Sequence, residues 1–356
     1  MKEQEMKKHG RRLPVFLLAL LVFVIAAAGI AYGIFQAGTG AVSEDSSEII
    51  VSIENGSGYY QIIDTLDEAG LIRNKTAAKL YVKLFAPDNL QANTYILNQN
   101  MDLKTMLDII STGNFQYLLK TKFTIVEGST IPDAAAHVAD ALGMKQNQVL
   151  KVWDDRNYLR ELIGEYWFLT DEILDPAILY PLEGYLYPET YFVADQDPDV
   201  ETVTRYCLDM MGKKLEPYRD RISELGMSVH EFLALASVVQ DESFHPEDYK
   251  KIAGVFFNRL KKGMPLQSDS TVLYALQEKR INVTYADLEV DSPYNTYQYA
   301  GVPVGPICAV QEEILDACAN YEENDNYYFF ACEDGTVLYS KTLDEHNQKV
   351  KDNLWY

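Results

Sequence analysis

The chain has 356 residues, with 31 Lys and Arg against 53 Asp and Glu, so its formal net charge is −22 at pH 7. This negative net charge argues against a nucleic-acid-binding protein, because phosphate backbones repel a negative surface. The length predicts two or three domains, and 47% apolar residues are enough to form hydrophobic cores.

The amino-terminal segment predicts a membrane anchor. Residues 13–35 are continuously apolar or small, which is long enough for one bilayer crossing. Residues 1–12 carry five basic side chains, so this short tail is expected in the cytoplasm and the rest of the chain outside it. The basic residues are Lys2, Lys7, Lys8, Arg11 and Arg12. A cleaved signal peptide is the alternative, but the run is longer than a typical apolar signal region and no small-x-small site ends it.

Residues 36–48 are small, polar and acidic and predict a linker. A strand–helix–helix–strand pattern and a further helix follow in residues 49–120. The predicted elements are Ile49–Ile53, Tyr59–Ala69, Lys75–Phe85, Tyr95–Leu97 and Leu103–Ile110. A small α/β unit with this order resembles the LysM-type sugar-binding modules.

Residues 121–356 predict a larger, mixed α+β domain, so the fold class is α+β. It opens with a strand at Phe123–Val126 and a helix at Ile131–Leu142. All four cysteines lie here: Cys207, Cys308, Cys318 and Cys332. None belongs to a CxxC pair and no His stands at ligand spacing, so no zinc site is predicted. Disulfides and unpaired buried thiols both remain open.

The most informative helix of this domain begins at Ser228. Ser228 and Glu231 form a capping box, and four apolar positions then recur at helical spacing. These are Phe232, Leu235, Ala236 and Val239. At about 100° per residue, Glu242 falls roughly 20° from Leu235, whereas Asp241 points toward water. Glu242 is therefore the carboxyl directed toward the protein interior.

A carboxyl at that position suits acid catalysis. Burial raises its pKa, and the negative end of a helix raises the pKa further. A general acid of this kind can hold its proton near neutral pH. The structural alternative is that Glu242 pairs with an arginine or caps the next turn.

The sequence predicts a second helix beginning at His245-Pro246, because proline is favoured in a first turn. Arg259, Lys261 and Lys262 lie in its last turn, and Gly263 ends it. Near the carboxyl terminus, strands at Tyr327–Ala331 and Thr336–Tyr339 flank an Asp-Gly turn. A last helix is predicted at Leu343–Leu354, with His346 as a surface or structural residue.

Two loop segments between these elements predict a binding site. One begins at Gly263 and the other, which reads SPYNTYQYAGVPVGP, begins at Ser292. The second is rich in Tyr, Asn and Thr, and long loops with such residues commonly serve binding sites. Tyrosine rings can stack on sugars, and amides and hydroxyls can bond their substituents. The alternative is that these polar groups brace the fold.

Several of these stretches together resemble the MltG (YceG-like) family of membrane-anchored endolytic murein transglycosylases. The motifs that carry the resemblance are LEGYLYPETY at Leu182–Tyr191, ASVVQDES at Ala236–Ser243, LQSDSTV at Leu266–Val272, YNTY at Tyr294–Tyr297 followed by GVPVGPI, and His346-Asn347. The resemblance covers the chain from the anchor nearly to its end, and it identifies residues 121–356 as the catalytic domain.

The resemblance implies cleavage of the β-1,4 bond between N-acetylmuramic acid and N-acetylglucosamine within glycan strands, with 1,6-anhydro ends as product. It implies termination of nascent strands, no cofactor or metal, and peptidoglycan synthases as partners. Glu242 matches the catalytic position. The matching substrate-binding positions are Gln267, Asp269, Thr271, Tyr294, Asn295, Thr296 and Tyr297, together with Glu183 and Tyr187, which could instead brace the cleft.

Three departures from the family pattern accompany the resemblance. Gln240 replaces a usual Glu, Ser270 replaces a usual Pro, and VPVGPICAV replaces a PPGPI-type run. Gln240 removes a negative charge near Glu242, which affects the expected rate and pH optimum more than the chemistry. Two other functions stay open: a muramidase that uses water, and a non-catalytic scaffold that binds the cell wall.

Overall fold

The described part of the chain consists of helices and three two-stranded antiparallel sheets, the mixed α+β class that the sequence predicts. The structure is a computed structural model that describes residues 2–87, 89–193, 198–242, 245–280 and 282–353, with the backbone alone for residues 2–16 and 19. The described residues form two units, and the boundary between them lies between Lys120 and Thr121.

The first unit contains the strand–helix–helix–strand order that the sequence predicts. Its elements are α1 (Lys2–Thr39), β1 (Ile49–Ile53), α2 (Tyr59–Glu68), α3 (Lys75–Phe85), β2 (Asn93–Leu97) and α4 (Leu103–Thr112). β1 and β2 pair antiparallel with Val51 opposite Tyr95. Their inner faces pack against α2 and α4, where Leu66 and Ile110 are fully buried. The predicted boundaries of β1, α2, α3, β2 and α4 are confirmed to within two residues.

Helix α1 contains the one segment of the described chain that is clearly long and apolar enough to cross a membrane by itself. That segment is Leu20–Thr39, with a mean hydropathy of 2.1. Its large apolar side chains are exposed, among them Phe23 and Ile30 at 70% and 66%. A helix with this composition fits a single-pass membrane anchor.

The second unit is mainly helical. Its elements are β3 (Thr121–Ile125), α5 (Ile131–Ala141), α6 (Gln146–Trp153), α7 (Arg156–Glu165), β4 (Glu189–Val193), α8 (Val200–Leu215), α9 (Arg219–Glu224), α10 (Val229–Glu242), α11 (Tyr249–Lys262), α12 (Asp269–Leu276), α13 (Glu312–Ala319), β5 (Tyr328–Ala331), β6 (Val337–Ser340) and α14 (Leu343–Asn353). β3 pairs with the distant β4, and β5 pairs with β6 across the predicted Asp-Gly turn. The four cysteines are free thiols.

Helix α10 lies at the centre of this unit. The predicted capping box is confirmed: the Glu231 amide donates to Ser228 Oγ at 3.1 Å, and the Ser228 amide donates to Glu231 Oε2 at 2.9 Å. Every residue from Phe232 to Val239 is buried, so α10 is enclosed on all sides rather than along one stripe. Its last residue, Glu242, is therefore held by a helix that has little freedom to move.

The predicted start of the next helix is wrong. α11 begins at Tyr249, not at His245-Pro246. The Asp248 amide donates to the carbonyl of His245 at 3.0 Å, which closes a turn before the helix. The Asp248 carboxylate accepts a hydrogen bond from Tyr339 at 2.6 Å. Asp248 is thus held by the β5–β6 hairpin, and the helix starts after it.

Candidate active site

Glu242 is half-buried at the carboxyl end of α10, and the neighbouring Asp241 is exposed. These exposures agree with the helical periodicity of the sequence, although Asp241 Oδ1 also accepts a hydrogen bond from Cys308 Sγ at 3.5 Å. Ser243, the last residue of the ASVVQDES motif, lies outside the described residues. Part of the Glu242 residue is therefore enclosed by the protein and part of it reaches solvent.

The surroundings of Glu242 favour its neutral form. Burial raises the pKa of its carboxyl to about 7, and the nearby charges of Asp269 and Asp241 also act to raise the pKa. A hydrogen bond from Ser268 and the charge of Arg259 act in the opposite direction. In the described part of the chain Glu242 forms no ion pair, so the structural alternative of an arginine partner is not observed.

A chain of two hydroxyls leads from Glu242 toward the surface. Ser268, which is only 1% exposed, donates from Oγ to Glu242 Oε1 at 2.6 Å. The Oγ atoms of Ser268 and Ser270 are 2.7 Å apart. Because Ser268 has one hydroxyl proton and gives it to Glu242, Ser270 must be the donor to Ser268. Glu242 Oε2 accepts no hydrogen bond from the described residues.

Buried threonines join two loop segments beside Ser268 and Ser270. One segment contains Gln267 and Ser268, and the other contains Thr296. The Ser268 amide donates to Thr296 Oγ1 at 3.1 Å, and the Gln267 amide donates to the Thr296 carbonyl at 3.1 Å. Thr271 Oγ1 donates to the Ser268 carbonyl at 2.7 Å and lies 2.9 Å from Thr296 Oγ1. Thr271 and Thr296 are 0% and 1% exposed, so their hydroxyls hold the loops in register.

Two further residues of the YNTY motif are buried. The Asn295 side-chain amide donates to the carbonyls of Leu288 and Val290 at 3.0 and 2.8 Å, and its oxygen accepts the Tyr297 amide at 2.9 Å. Tyr294 is 1% exposed and its ring packs against the ring of Tyr274. Asn295 and Tyr294 thus fix the shape of the loop from within.

Three of the predicted site residues present polar atoms at the surface of this cluster. Gln267 and Asp269 are exposed and Tyr297 is half-buried. The Tyr297 hydroxyl donates to Asp269 Oδ1 at 2.6 Å. Gln267 has a φ of +53°, a strained backbone conformation for a residue with a side chain, and such conformations are common at functional sites.

Arg259 belongs to this cluster, although the sequence places it only among the basic residues of a helix end. It is 8% exposed, and its guanidinium donates to the carbonyls of Tyr327 and Leu266 at 2.6 and 2.7 Å. The signal in the sequence is its spacing. Arg259 follows Val255 by four residues and Phe256 by three, which places it on the apolar face of α11.

Glu183 is a second buried carboxyl, 2% exposed. Both of its oxygens lie 3.0 Å from the Ile131 amide, and the Tyr274 hydroxyl donates to Oε2 at 2.9 Å. Burial raises its pKa to about 8. The next residue, Gly184, has a φ of +77°, and a Cβ there would lie 2.3 Å from Pro306. Only glycine fits this close approach.

Tyr187 has different partners. It is 5% exposed, its carbonyl accepts a hydrogen bond from Tyr191 at 2.7 Å, and Lys214 Nζ lies 5.4 Å from its ring centre. These contacts join it to β4 and α8. The structure therefore brings Glu183 to the α12 side of the cluster through Tyr274, and places Tyr187 among other elements.

The departures from the family pattern have defined partners. The Gln240 side-chain oxygen accepts the Gln311 amide at 3.1 Å, just before α13. The altered VPVGPICAV run is tied to α10 by two contacts. The Ile307 amide donates to Ser237 Oγ at 3.0 Å, and His230 Nε2 lies 2.8 Å from the Val304 carbonyl.

The arrangement supplies one carboxyl that can give and take a proton, with hydroxyl and amide groups around it. Among the described residues, no group of three or more His, Cys, Asp or Glu side chains could hold a metal ion. The raised pKa of Glu242 and its hydrogen bond from Ser268 suit acid–base catalysis.

Comparisons with known proteins all find similarity to YceG-like proteins or endolytic murein transglycosylases. The YceG-like family matches residues 51–352. An endolytic murein transglycosylase of Bacillus subtilis is 35% identical over 309 residues, which cover 86% of this chain and 85% of that protein. One of Streptococcus pneumoniae is 31% identical over 322 residues, covering 86% of this chain and 58% of the relative. A crystal structure of a YceG-like protein from Listeria monocytogenes, 37% identical, has a TM-score of 0.62 and covers 86% of this chain and 100% of that one.

Proposed function

Because the chain belongs to the YceG-like family, which matches most of its length, we propose that it is a membrane-anchored endolytic murein transglycosylase that terminates the growth of nascent glycan strands. Its substrate would be the bond between N-acetylmuramic acid and N-acetylglucosamine. The observation that carries the proposal is the half-buried Glu242 carboxyl with a pKa raised to about 7, beside loops rich in polar side chains.

In this reaction Glu242 acts twice. Its neutral carboxyl first gives a proton to the glycosidic oxygen, and the bond from that oxygen to the muramic C1 breaks. The resulting Glu242 carboxylate then takes the proton of the muramic 6-hydroxyl while the 6-hydroxyl oxygen forms a bond to C1. The product is a 1,6-anhydro end, and Glu242 regains its proton. Since the nucleophile belongs to the substrate, the second carboxylate of ordinary glycosidases is not needed.

The other predicted site residues divide by exposure. We assign direct glycan contacts to Gln267, Asp269 and Tyr297, whose polar atoms reach the surface. The buried members, Thr271, Tyr294, Asn295 and Thr296, would position the loops that carry those contacts. Glu183 and Tyr187 would brace the fold, because their polar groups already have partners within the protein.

The amino-terminal unit would hold the enzyme at the membrane. We propose that residues 13–35 cross the bilayer with residues 1–12 in the cytoplasm, followed by a linker at residues 36–48 whose first part, to Thr39, continues helix α1. Residues 49–120 would form a LysM-like module that binds glycan, and residues 121–356 the catalytic domain. The antiparallel β1–β2 pair with two intervening helices supports the LysM-like assignment. Peptidoglycan synthases are the expected protein partners.

Mass analysis of digested glycan tests the proposal. Purified full chain should release fragments that end in 1,6-anhydro-N-acetylmuramic acid, and Glu242→Gln should release none. Reducing ends without the anhydro sugar would instead identify a muramidase that uses water. If the wild-type chain binds cell walls but cuts no strand, the protein is a scaffold.

A folding control accompanies this experiment. Gln keeps the size of the side chain and an oxygen that can accept the Ser268 hydrogen bond, so the variant should unfold like the wild type. A folded variant without products places the loss in the chemistry.

A further inference from the structure

Helix α3 packs directly on the carboxyl end of α1, the helix that would span the membrane. The Phe35 and Tyr81 rings stack with centres 6.2 Å apart, and a Cβ on Gly38 would lie 2.8 Å from that of Ala77. The two helices therefore approach so closely that a side chain at position 38 would force them apart.

The direction of α3 follows from these contacts. The start of α3, at Ala77, lies beside Gly38, whereas Tyr81 and Phe85 lie beside Phe35. Moving forward along α3 thus means moving back along α1, into its apolar part. Phe35 is the last residue of the proposed span and lies within the apolar segment Leu20–Thr39. The carboxyl end of α3, which contacts Phe35, therefore lies at the level of the last residues of the span.

The same end of α3 exposes large apolar side chains. Leu80, Leu84 and Phe85 are 46%, 59% and 59% exposed. Leu80 and Leu84 are one helical turn apart, on the same side of the helix. The buried face of α3 lies elsewhere, at Ala78 and Val82.

The charged side of α3 points away from Leu84. Lys75 and Lys79 form ion pairs with Asp64 at 3.1 and 2.8 Å, and both lie roughly 140° to 180° around the helix from Leu84. Lys83, in the last turn, is exposed. An apolar edge with a lysine beside it, at the end of a membrane span, has the composition of an interfacial segment.

We propose that Leu80, Leu84 and Phe85 insert into the outer surface of the lipid bilayer, with Lys83 directed to the head-group phosphates. The first unit would then lie against the membrane rather than hang from it on the linker. This inference rests on the proposed anchoring through α1, and it adds a second lipid contact to that span.

Tryptophan fluorescence in vesicles tests the insertion. The full chain would be reconstituted in phosphatidylcholine–phosphatidylglycerol vesicles, some with brominated acyl chains, which quench a tryptophan that touches them. Leu84→Trp, Leu80→Trp and Thr76→Trp place probes along one stripe of α3. The outermost probe lies about 12 Å from the innermost at 1.5 Å per residue. Each signal is corrected for the wild-type emission of Trp153, Trp167 and Trp355.

The expected result is a graded loss. Bromolipids should remove most of the added emission of Leu84→Trp, less of Leu80→Trp and little of Thr76→Trp, and aqueous iodide should quench in the reverse order. Vesicle flotation separates the premise from the inference. A chain that does not float lacks the anchor, and the inference falls with it. A chain that floats while bromolipids leave Leu84→Trp unquenched has its patch in water or under a protein, and the lipid contact is wrong.

Discussion

Glu183 and Glu242 are two carboxyls in the same unit whose pKa values are both raised by burial, to about 8 and about 7. They differ in their hydrogen bonds. Glu183 is 2% exposed and both oxygens have protein donors. Glu242 is half-buried, and one of its oxygens accepts no hydrogen bond from a described residue.

This difference shows that a raised pKa alone does not make a carboxyl group reactive. A buried carboxyl with satisfied oxygens stabilises the structure around it, however unusual its titration. A carboxyl that keeps one oxygen free and an opening to solvent can reach a substrate. By this comparison, we propose Glu242 as the acid of the reaction and Glu183 as a brace between α5 and α12.

Matched substitutions of Glu242 and Glu183 should give the largest effect and test their different roles. Glu242→Gln should lower the rate of strand cleavage by about 10³-fold or more, because one group serves as both acid and base. Glu183→Gln should stay within about tenfold of the wild type, since the amide oxygen can still accept from Ile131 and Tyr274. Equal losses in both variants, with both folded, would end the comparison.

The next effect is on stability. Glu183→Ala removes the acceptor for the Ile131 amide and the Tyr274 hydroxyl and leaves a cavity, so we expect a loss of about 3 kcal/mol in the free energy of unfolding. Urea titration followed by fluorescence of Trp153 and Trp167 reports on this unit. A loss below about 1 kcal/mol would show that Glu183 does not brace the fold.

The raised pKa of Glu183 also predicts how stability changes with pH. Its folded pKa of about 8 lies above the ordinary value of 4.5, so the folded state keeps a proton that the unfolded state releases between these values. Stability should therefore fall as pH rises through that window, by at most about 1.4 kcal/mol per pH unit from this group. Glu183→Gln should show a shallower slope in urea titrations across the same range. Parallel slopes would contradict the prediction.

The smallest expected effect concerns the pH dependence of cleavage, which depends on the Glu242 carboxyl. Cleavage should slow as pH rises above about 7, by about tenfold per unit, because Glu242 loses the proton it must donate. Ser268→Ala removes a hydrogen bond that stabilises the carboxylate, so this decline should move to higher pH by about half a unit to one unit. Ser270→Ala should shift the pH of this decline by less. Ser268→Thr keeps a hydroxyl, so its decline should return to the wild-type pH. A decline at the same pH in Ser268→Ala would remove Ser268 from the proposed network.

Local patterns in the sequence predict much of this fold. Capping residues, apolar periodicity and turn residues give α3, α10 and the β5–β6 hairpin almost to the residue. The start of α11 is missed because Asp248 is held by Tyr339, which is 91 residues away in the sequence. A contact between such distant residues leaves no trace in the local spacing.

The candidate site is predictable to the same degree. Helical periodicity selects Glu242 over Asp241, since that choice depends on one helix alone. Ser268 and Arg259 are not selected, because their roles depend on contacts between α10, α11 and the loop before α12. Burial of Thr271, Tyr294, Asn295 and Thr296 also depends on how two loops meet, and so exposed and buried members of one motif look alike in the sequence.

The enclosure of α10 bears on how this protein should lose activity when heated. A helix buried from Phe232 to Val239 is held by packing on every side, so we expect Glu242 to keep its place until the unit melts. Inactivation should then follow the same temperature course as the fluorescence of Trp153 and Trp167. Activity that disappears at a lower temperature would mean that the loops around Gln267 and Tyr297 come apart first, while the helix stays intact.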